Sequence, residues 1–404
     1  MTQKWLSIVG IGEDGLQGLS PIALSLINQA TILVGGDRHL AMLPPDERQR
    51  IAWKSPISSV VAEIIQHQGE LVCVLASGDP LCYGIGATLT RQIPISEISI
   101  IPAPSAFSLA CARLGWSLTE VETLSLCGRP PSLLQSYIYP GAKLLILSEG
   151  KETPAIVAEI LTKRGYSGSK IIVLERMGGI HERIIEGVAG SWSETEIAAL
   201  NAIAINCIAD AGIAPLSRIP GLPDFAFHHD GQLTKREVRA VTLSTLAPLP
   251  GELLWDVGAG CGSISIEWMR SHPRCRAIAI EQNSSRLNYI ADNATSLGTP
   301  NLQIIAGKAP DILKDLPTPD AIFIGGGVTA EGLFDICWQA LRTGGRLVAN
   351  VVTIEGEQIL FEWYKKVGGN FSRITIHRAE PIGKFLGWRA MAPVTQWIGV
   401  KLGV

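Results

Sequence analysis

The sequence predicts an α/β protein made of two successive units, and three observations lead to this fold class. Apolar strand-like segments alternate with helical patterns along the whole chain. A strand, a tight glycine turn and a helix occur in each half, at 5–30 and again within 251–281. A Pro/Gly-rich stretch without clear periodicity, 211–233, separates the halves. We therefore expect domains at 1–210 and 234–404 that are joined by a linker at 211–233.

Composition narrows the classes of function. The 404 residues leave room for two or three domains of about 100–200 residues each. Hydrophobic residues make up 47% and charged residues 18%, which is ample material for buried cores. The net charge of −3, without a long basic run, argues against a nucleic-acid partner. The apolar runs are about half as long as a membrane span requires, and the first residues are typical of a strand and turn, not of a secretory signal. We expect a cytoplasmic protein with neither a nucleic-acid nor a membrane partner.

The eight cysteines are scattered along the chain and form no C-x-x-C pair. Several lie inside apolar strand or helix patterns, which predicts buried free thiols in a reducing compartment. No group of Cys and His residues has the spacing of zinc ligands, so we expect no protein-bound metal.

The first half begins with a strand and a glycine turn at 5–15, followed by a helix at 20–30 in which Pro21 fits the first turn. The next strand, 31–36, ends in glycines and not in an acid, so this half is expected to hold its ligand in a different geometry from the second half. Further strands are predicted at 71–76, 98–101, 143–148 and 171–175, and helices at 84–92, 105–114, 153–164 and 194–199.

The second half opens with a predicted helix at 234–246, where Thr234 and Glu237 have the spacing of a capping box. The segments 372–379 and 396–402 are expected to close the sheet as an antiparallel hairpin. The strands before them are predicted at 253–257, 277–281, 303–305, 320–324 and 346–351.

The glycine turn at 258–262 is the most informative motif. Its spacing is G-x-G-x-G, with Asp256 before it and Glu281 at the end of the next strand. A dinucleotide site instead has G-x-G-x-x-G, with a helix N-terminus facing a pyrophosphate. The observed spacing resembles motif I of the class I S-adenosylmethionine (SAM) methyltransferases, in which the acid accepts hydrogen bonds from two ribose hydroxyls. The alternative is a plain strand-turn-helix unit in which Glu281 is a solvated strand end.

Four segments of the first half resemble the tetrapyrrole methylases, the class III SAM methyltransferases. The segments are IVGIGEDG at 8–15, GGDRHL at 35–40, LASGDPLCYGIGATL at 75–89 and IPAPSAFSLACARLGW at 101–116. The first turn departs from the family's commoner Gly-x-Gly-Pro-Gly because Glu13 replaces the proline. The resemblance implies a fold of two subdomains, at about 1–112 and 118–205, with SAM in the cleft between them.

Three segments of the second half resemble the decarboxylating methyltransferases of corrin synthesis, namely LTKREVRAV at 233–241, IFIGGG at 322–327 and ANVVTIE at 349–355. This half is therefore expected to have the Rossmann-like class I methyltransferase fold. The order of the two halves, across essentially the whole chain, resembles the bifunctional methyltransferases of cobalamin biosynthesis. The resemblance implies SAM at two sites and precorrin-6B, or its cobalt form, as substrate. The first half would methylate carbon 5. The second half would methylate carbon 15 and decarboxylate the acetate on carbon 12, giving precorrin-8x.

The same resemblance implies which residues contact SAM. In the first half, Asp79 has an alternative role as a turn residue before Pro80. In the second half, Cys261 needs only to be small and is not interpreted as a nucleophile. The expected SAM residues are Thr234, Gly258, Ala259, Gly260, Cys261, Gly262, Glu281 and Ala309 in the second half, and Gly10, Gly12, Gly78, Asp79, Ser105 and Ala106 in the first.

A corrinoid precursor carries acetate and propionate groups, which cations would bind, with Arg favoured for its bidentate fork. The candidates are Lys235, Arg236 and Arg239 on the predicted helix, for which a solvated face is the alternative, and His229, which is otherwise simply exposed. His228 and His229 are also candidate proton donors for the decarboxylation, with simple exposure as the alternative, and no pattern supports the further positions Arg129, Arg176 and Arg389.

Two other functions were weighed. A corrinoid carrier would not need two SAM sites. A nucleic-acid amino-methyltransferase typically has an Asn/Asp-Pro-Pro-aromatic motif after the fourth strand, where this chain has Gly325-Gly326-Gly327.

Methyl transfer to an enamine-like carbon needs alignment and exclusion of water more than a strong base. Related isolated domains form oligomers, so a homo-oligomer is expected. Whether the substrate carries cobalt is left open.

Overall fold

The structure is a computed structural model that describes residues 4–403, and it divides into two compact units. The first unit extends to Pro131 and continues with Pro140–Ile213, whereas the second consists of Ser132–Tyr139 and the chain from Ala214 onward. Residues 214–233, which the sequence analysis assigns to a linker, therefore belong to the second unit. Leu216, Leu222 and Phe227 of this stretch are buried in that unit's core.

The first sheet of the first unit consists of parallel strands with the helices that connect them. Its strands are β1 Leu6–Ile11, β2 Ile32–Gly35, β3 Gln49–Ala52, β4 Val72–Ser77 and β5 Ile98–Ile101. They lie in the order β3-β2-β4-β1-β5. The helices are α1 Pro21–Gln29, α2 Asp37–Ala41, α3 Ile57–Gln66, α4 Gly86–Leu89 and α5 Ala106–Leu114. Parallel strands end at the same edge, so the turns after β1, β2 and β4 come together there.

The second sheet of this unit is mixed. Its strands are β6 Glu122–Ser125, β7 Lys143–Leu147, β8 Lys170–Glu175, β9 Arg183–Val188 and β10 Asn201–Asn206, with helix α6 Thr153–Lys163. They lie in the order β6-β7-β10-β8-β9, and only the β6–β7 pair is parallel. Two sheets formed by successive parts of the chain confirm the expected two-subdomain fold.

Two helix predictions for this unit fail. The helix predicted at 84–92 is reduced to Gly86–Leu89. The predicted helix at 194–199 does not form. There, side chains satisfy the backbone in place of a helix: the Ala198 N–H donates to Glu175, and the Asn201 amide donates to the Ala198 carbonyl.

The second unit contains a sheet with helices on both faces. Its strands lie in the order β13-β12-β11-β14-β15-β19-β16. All pairs from β13 to β15 are parallel, and both pairs with β19 are antiparallel. The strands are β11 Leu253–Val257, β12 Arg276–Glu281, β13 Gln303–Ala306, β14 Ala321–Ile324, β15 Arg346–Val351, β16 Asn370–Ile374 and β19 Val394–Val400. The helices are α7 Arg236–Leu246, α8 Ser263–Ser271, α9 Ser284–Ser296, α10 Leu333–Ala340 and α11 Ile354–Val367.

Strand β11 shows why this sheet is buried on both sides. Leu254 packs into the core on the face that α7, α8 and α9 cover, whereas Trp255 and Val257 pack against α10 and α11. Successive side chains of a strand point to opposite faces, so an apolar run fits this three-layer arrangement. This is the predicted Rossmann-like architecture.

Two predictions for this unit need correction. Helix α7 begins at Arg236, one residue after Lys235, and no side chain caps it. Glu237 does not complete a capping box, because its carboxylate accepts a hydrogen bond from Arg378, at 2.7 Å. The segment 372–379 is not one strand: β16 ends at Ile374, and a separate hairpin follows before β19. This hairpin consists of β17 His377–Ile382 and β18 Phe385–Ala390.

None of the helices within residues 4–403 combines the length and the apolar character needed to span a membrane.

Candidate functional site

The glycine turn of the second unit brings two loops into close backbone contact. Gly258 follows β11 with a φ of 72°, a conformation that favours glycine. A Cβ on Gly258 would lie 2.9 Å from the Cα of Gly326, which follows β14. The two loops can approach this closely because position 258 is glycine, whereas a Cβ at Gly326 would lie 3.8 Å from the Cα of Gly258, an ordinary contact. They form one floor at the carboxyl edge of the sheet.

Glu281 is fixed against this turn. It ends β12 and is 5% exposed. Its Oε2 accepts the N–H of Gly260 at 2.9 Å, and its Oε1 accepts the N–H groups of Gln282 and Asn283, each at 2.9 Å. Glu281 is therefore not a solvated strand end, which was the alternative interpretation. Three of the roughly four lone-pair sites of a carboxylate are thus used, and the one that remains, on Oε2, can accept from a hydroxyl donor.

Asp256 is a second carboxyl beneath the same turn. Its side chain is buried, and its Oδ2 accepts bonds from both the backbone N–H, at 3.0 Å, and the hydroxyl of Ser265. Its Oδ1 has no partner among residues 4–403. Burial, with a smaller contribution from the Glu281 charge, raises the pKa of Asp256 to about 6. An unpaired acceptor of this kind suits a donor group of a ligand.

A cavity of about 870 Å³ lies above these groups, a volume typical of small-molecule sites. Most of the predicted SAM residues line this cavity, namely Thr234, Gly258, Ala259, Gly260, Cys261, Glu281 and Ala309. Gly262 does not; a Cβ there would lie 3.0 Å from Ile290, on the far side of the turn. Burial raises the pKa of the Cys261 thiol to about 11, which keeps the thiol protonated. The floor thus offers carboxylates and close backbone to a ligand that bears hydroxyl and ammonium donors.

The predicted substrate cations separate into two groups. Lys235 lines the cavity, whereas Arg236 and His229 do not. Arg239 is completely buried, so the prediction that it binds substrate is wrong. Its Nε donates to Glu267 at 2.6 Å, and its Nη atoms donate to the carbonyls of Thr234 and Leu222. Arg239 therefore holds in place the segment that forms the cavity wall. The apolar pattern of helix α7 did not predict this buried role.

Sequence reasoning missed several polar groups of this cavity. Arg286 is bound to Asp230 at 2.9 Å. Lys308, just after β13, is exposed, and its ammonium forms no hydrogen bond or ion pair with the other residues of 4–403. Arg389, named without support, lines the wall and pairs with Glu380 at 3.1 Å. Asn350 lines it from β15. Some of these residues lie at strand ends or in a hairpin, and that position was the signal in the sequence that could have identified them.

The first unit has its own cavity, of about 440 Å³, at the carboxyl edge of its parallel sheet. Gly12, Gly78, Asp79, Ser105 and Ala106 line it, as their assignment requires. Gly10 does not line it. A Cβ on Gly10 would lie only 1.9 Å from the carbonyl oxygen of Gly78, so this glycine permits the turns after β1 and β4 to meet.

Two of these residues stabilise local structure. The Oδ1 of Asp79 accepts the N–H of Leu81 at 2.8 Å, which is a turn role and the alternative that the sequence left open. The Oγ of Ser105 accepts the N–H of Ser108 at 3.1 Å and caps helix α5. Each nevertheless faces the cavity, so the two roles coexist in the structure.

A polar cluster that sequence reasoning missed forms another wall of this cavity. Arg38 is paired with Glu13 and donates to Ser77 at 3.2 Å. His39 is 7% exposed, and its Nε2 lies 2.9 Å from Arg38 and 3.1 Å from Ser77. Burial and the Arg38 charge lower the pKa of His39 to about 4, so the imidazole is neutral. Both residues lie in the GGDRHL segment, which contributed to the family resemblance without predicting a role for either of them.

Arg176 also lines this cavity, whereas Arg129 lies with its guanidinium carbon 5.1 Å from the ring centre of Tyr83. No group of three or more His, Cys, Asp or Glu side chains within residues 4–403 has the arrangement of a metal site.

Comparison with known proteins matches each half to a family. Residues 6–192 match the tetrapyrrole (corrin/porphyrin) methylases, and residues 225–401 match a precorrin methyltransferase domain. Over 99% of its length the chain is 46% identical to a precorrin-6Y C(5,15)-methyltransferase [decarboxylating] from Sinorhizobium sp, of which it covers 97%. The chain belongs to this family. The family consists of SAM-dependent methyltransferases of cobalamin biosynthesis, as the sequence predicted.

Two shorter relatives carry single activities. A cobalt-precorrin-7 C(5)-methyltransferase from Salmonella typhimurium is 32% identical over 44% of this chain and 88% of its own length. A probable cobalt-precorrin-6B C(15)-methyltransferase (decarboxylating) from Saccharolobus solfataricus is 33% identical over 37% of this chain and 78% of its own length.

Proposed function

We propose that this chain uses SAM at two separate sites to methylate carbons 5 and 15 of a corrinoid precursor, and that it decarboxylates the acetate on carbon 12. One observation carries the proposal: each unit has its own cavity at the carboxyl edge of a parallel sheet, floored by glycine turns. The full-length relative, with both carbons in its name, supports it.

We assign carbon 15 and the decarboxylation to the second unit and carbon 5 to the first. The reactions are assigned to the domains at 1–210 and 234–404, and of the stretch 211–233 between them the part from Ala214 onward packs with the second unit. The names of the two shorter relatives support the separation, because each activity occurs on a chain that matches less than half of this one. The same names favour an order in which the second unit acts on precorrin-6B and the first unit then acts on precorrin-7.

In the second unit, Glu281 would hold the ribose, and the open Oδ1 of Asp256 would accept from a donor of the methionine part. When bound, SAM supplies an electrophilic methyl group on a sulfonium whose sulfur leaves as a thioether. The closely packed turns at Gly258 and Gly326 would fix the orientation of the ligand through backbone contact. The first unit would bind and orient SAM through backbone groups and a helix cap. The residues that would do so are Gly12, Gly78, Asp79, Ser105 and Ala106.

The walls above these floors would bind the substrate. Its acetate and propionate groups need cations, and the wall of the larger cavity supplies Lys235, Lys308 and Arg389. Lys308 is the strongest of the three candidates, because Lys235 already donates to the Gly231 carbonyl at 3.4 Å and Arg389 is paired with Glu380. The electrons that carbon dioxide leaves behind would pass into the conjugated ring of the substrate. A homo-oligomeric assembly and a cytoplasmic location complete the proposal.

The test is to incubate the chain with SAM and precorrin-6B, with and without cobalt in the macrocycle, and to weigh the product by mass spectrometry. We expect a gain of two methyl groups and the loss of one carbon dioxide, and the form that reacts identifies the metal state of the substrate. Binding of the corrinoid without any change of mass would contradict the proposal and would favour a carrier.

A further inference from the structure

The strained backbone of the first unit is concentrated at its cavity. Within residues 4–403, the non-glycine residues with positive φ are Tyr83 at 54°, Arg176 at 46° and Ala247 at 45°. Ala247 only ends helix α7 in the second unit. Tyr83 and Arg176 both line the smaller cavity. Residues with side chains disfavour this backbone conformation, and it persists where surrounding contacts impose it. Residues in this conformation are enriched at functional sites.

The contacts that impose it on Arg176 are well defined. Glu175, just before it, is 3% exposed and is held by Arg183 at 2.8 and 3.1 Å and by the N–H of Ala198 at 2.6 Å. The Arg176 N–H donates to the carbonyl of Leu200 at 3.1 Å. The backbone is thus fixed on both sides of a residue whose own side chain takes no part in holding it.

The guanidinium of Arg176 is available to a ligand. The residue is exposed and forms no hydrogen bond or ion pair through its side chain with any other part of residues 4–403. The other arginine of this cavity wall, Arg38, is already paired with Glu13. A strained position would tolerate glycine better, so the presence of an arginine there needs a reason beyond the fold.

Tyr83 presents a fixed aromatic ring to the same cavity. It is 47% exposed, although its ring lies edge-on to Phe107, with ring centres 6.0 Å apart. The Arg129 guanidinium lies over the ring at 5.1 Å, within the range of a cation–π contact. A ring held in this way can pack against a flat apolar ligand without losing further side-chain freedom.

We propose that Tyr83 and Arg176 form the binding site for the corrinoid in the first unit. Arg176 binds a carboxylate of an acetate or propionate group with its planar fork, and the ring of Tyr83 packs against the macrocycle. This inference rests on the proposed function and adds to it the residues that recognise the substrate of the carbon-5 reaction.

The experiment compares Arg176→Met, Arg176→Lys and Arg176→Gly in the full chain. Precorrin-7 with SAM is supplied for the carbon-5 step and precorrin-6B with SAM for the carbon-15 step, and each methylation is followed by mass. We expect Arg176→Met to raise the KM for the corrinoid in the carbon-5 step at least tenfold. The KM for SAM and the carbon-15 step should stay unchanged, and Arg176→Lys should be intermediate. The matched control is Arg91→Met, which removes an exposed arginine of the same unit that does not line the cavity.

Arg176→Gly separates binding from structure. Glycine adopts the left-handed conformation without strain, so this variant should melt at a higher temperature than the wild type while showing the same rise in KM as Arg176→Met. A role in folding alone would instead leave the KM of the glycine variant unchanged, which would overturn the inference.

A titration of precorrin-7 into the protein without SAM distinguishes the two proposals. Wild-type chain that binds the corrinoid but transfers no methyl group would overturn the proposed function alone, provided that Arg176→Met weakens the binding to the first unit. Equal binding and equal carbon-5 kinetics in Arg176→Met and Arg91→Met would overturn the inference alone.

Discussion

The two cavities differ in where they keep their charge. In the second unit, two carboxyls lie beneath the glycine turn, and Asp256 and Glu281 are 1% and 5% exposed. In the first unit, the buried titratable group at the cavity is the neutral His39, and the nearby carboxylates of Glu13 and Asp79 are already bonded to Arg38 and Leu81. If both cavities hold the same methyl donor, as proposed, recognition rests on buried carboxylates in one and on backbone in the other.

The two units also differ in how deeply their ion pairs are buried. The wall of the second cavity depends on a buried ion pair between Arg239 and Glu267, whose side chains are 0% and 2% exposed. The first unit instead has partly exposed pairs, such as Arg113 with Glu182. Buried pairs are costly to break, because the remaining charge has no solvent. Disruption of ion pairs should therefore damage the second site more than the first.

The largest effect is expected for Arg239→Met. It leaves the Glu267 carboxylate buried with only the N–H groups of Gly221 and Leu222, so the second unit should lose about 3–5 kcal/mol of unfolding free energy. The matched change in the first unit, Arg113→Met, should cost about 1 kcal/mol or less. Denaturant unfolding followed by hydrogen exchange of each unit measures both. Equal losses would show that the contrast between the units is unfounded.

Glu281→Ala is expected to affect chemistry next most strongly. It removes the proposed ribose acceptor and three backbone contacts of the turn, so carbon-15 methylation and decarboxylation should fall by about a hundredfold or more (about 3 kcal/mol). Precorrin-7 supplied directly should still be methylated at carbon 5. Asp292→Ala, an exposed acid on helix α9, is the control. Loss of both reactions with both substrates would argue against separate sites.

Much of this contrast was accessible from the sequence, because strong local patterns specify local structure. The strands at 98–101, 253–257 and 346–351 have the predicted bounds. The glycine spacing with Glu281 predicted a floor that the structure brings together, since a strand, a turn and a helix are neighbours along the chain.

What the sequence did not reveal depends on distant partners. The Glu237 side chain looked like a cap, but Arg378, 141 positions away, binds it. Arg239 looked like a surface cation at helical spacing, yet Glu267 and the carbonyls of residues 222 and 234 surround it. The left-handed backbone of Arg176 follows from contacts of Glu175 with Arg183 and Ala198. No local pattern in one sequence encodes such pairings.

Two buried groups, one in each unit, should also respond to acid in opposite directions. The pKa of Asp256 is raised from 3.8 to about 6, so the folded second unit retains a proton that the unfolded chain releases. The contribution of Asp256 to the stability of this unit therefore decreases as the pH rises from about 4 to 6, by up to about 3 kcal/mol. The pKa of His39 is lowered from 6.5 to about 4, so the first unit loses stability as the pH falls through that window.

Two variants isolate these contributions. Asp256→Asn keeps an acceptor for Ser265 without the charge, so it should be more stable than the wild type above pH 6 and similar near pH 4. His39→Gln should remove the loss of stability of the first unit between pH 6.5 and 4. Thermal unfolding across this range, without SAM, provides the measurement. A pH slope that either variant leaves the same as in the wild type would contradict the environment assigned to that residue.

The smallest effect is expected at Asp79, and it decides which of two roles this residue has. Asp79→Ala removes the acceptor for the Leu81 N–H, which should cost about 1 kcal/mol and slow carbon-5 methylation about fivefold. Asp79→Asn keeps that acceptor and removes only the charge, so it should restore most of the rate if the turn is what matters. A rate for Asp79→Asn as low as that of Asp79→Ala, with a raised KM for SAM, would mean that the carboxylate itself contacts the methyl donor. The first cavity would then also depend on a charged side chain, and its contrast with the second would be one of burial alone.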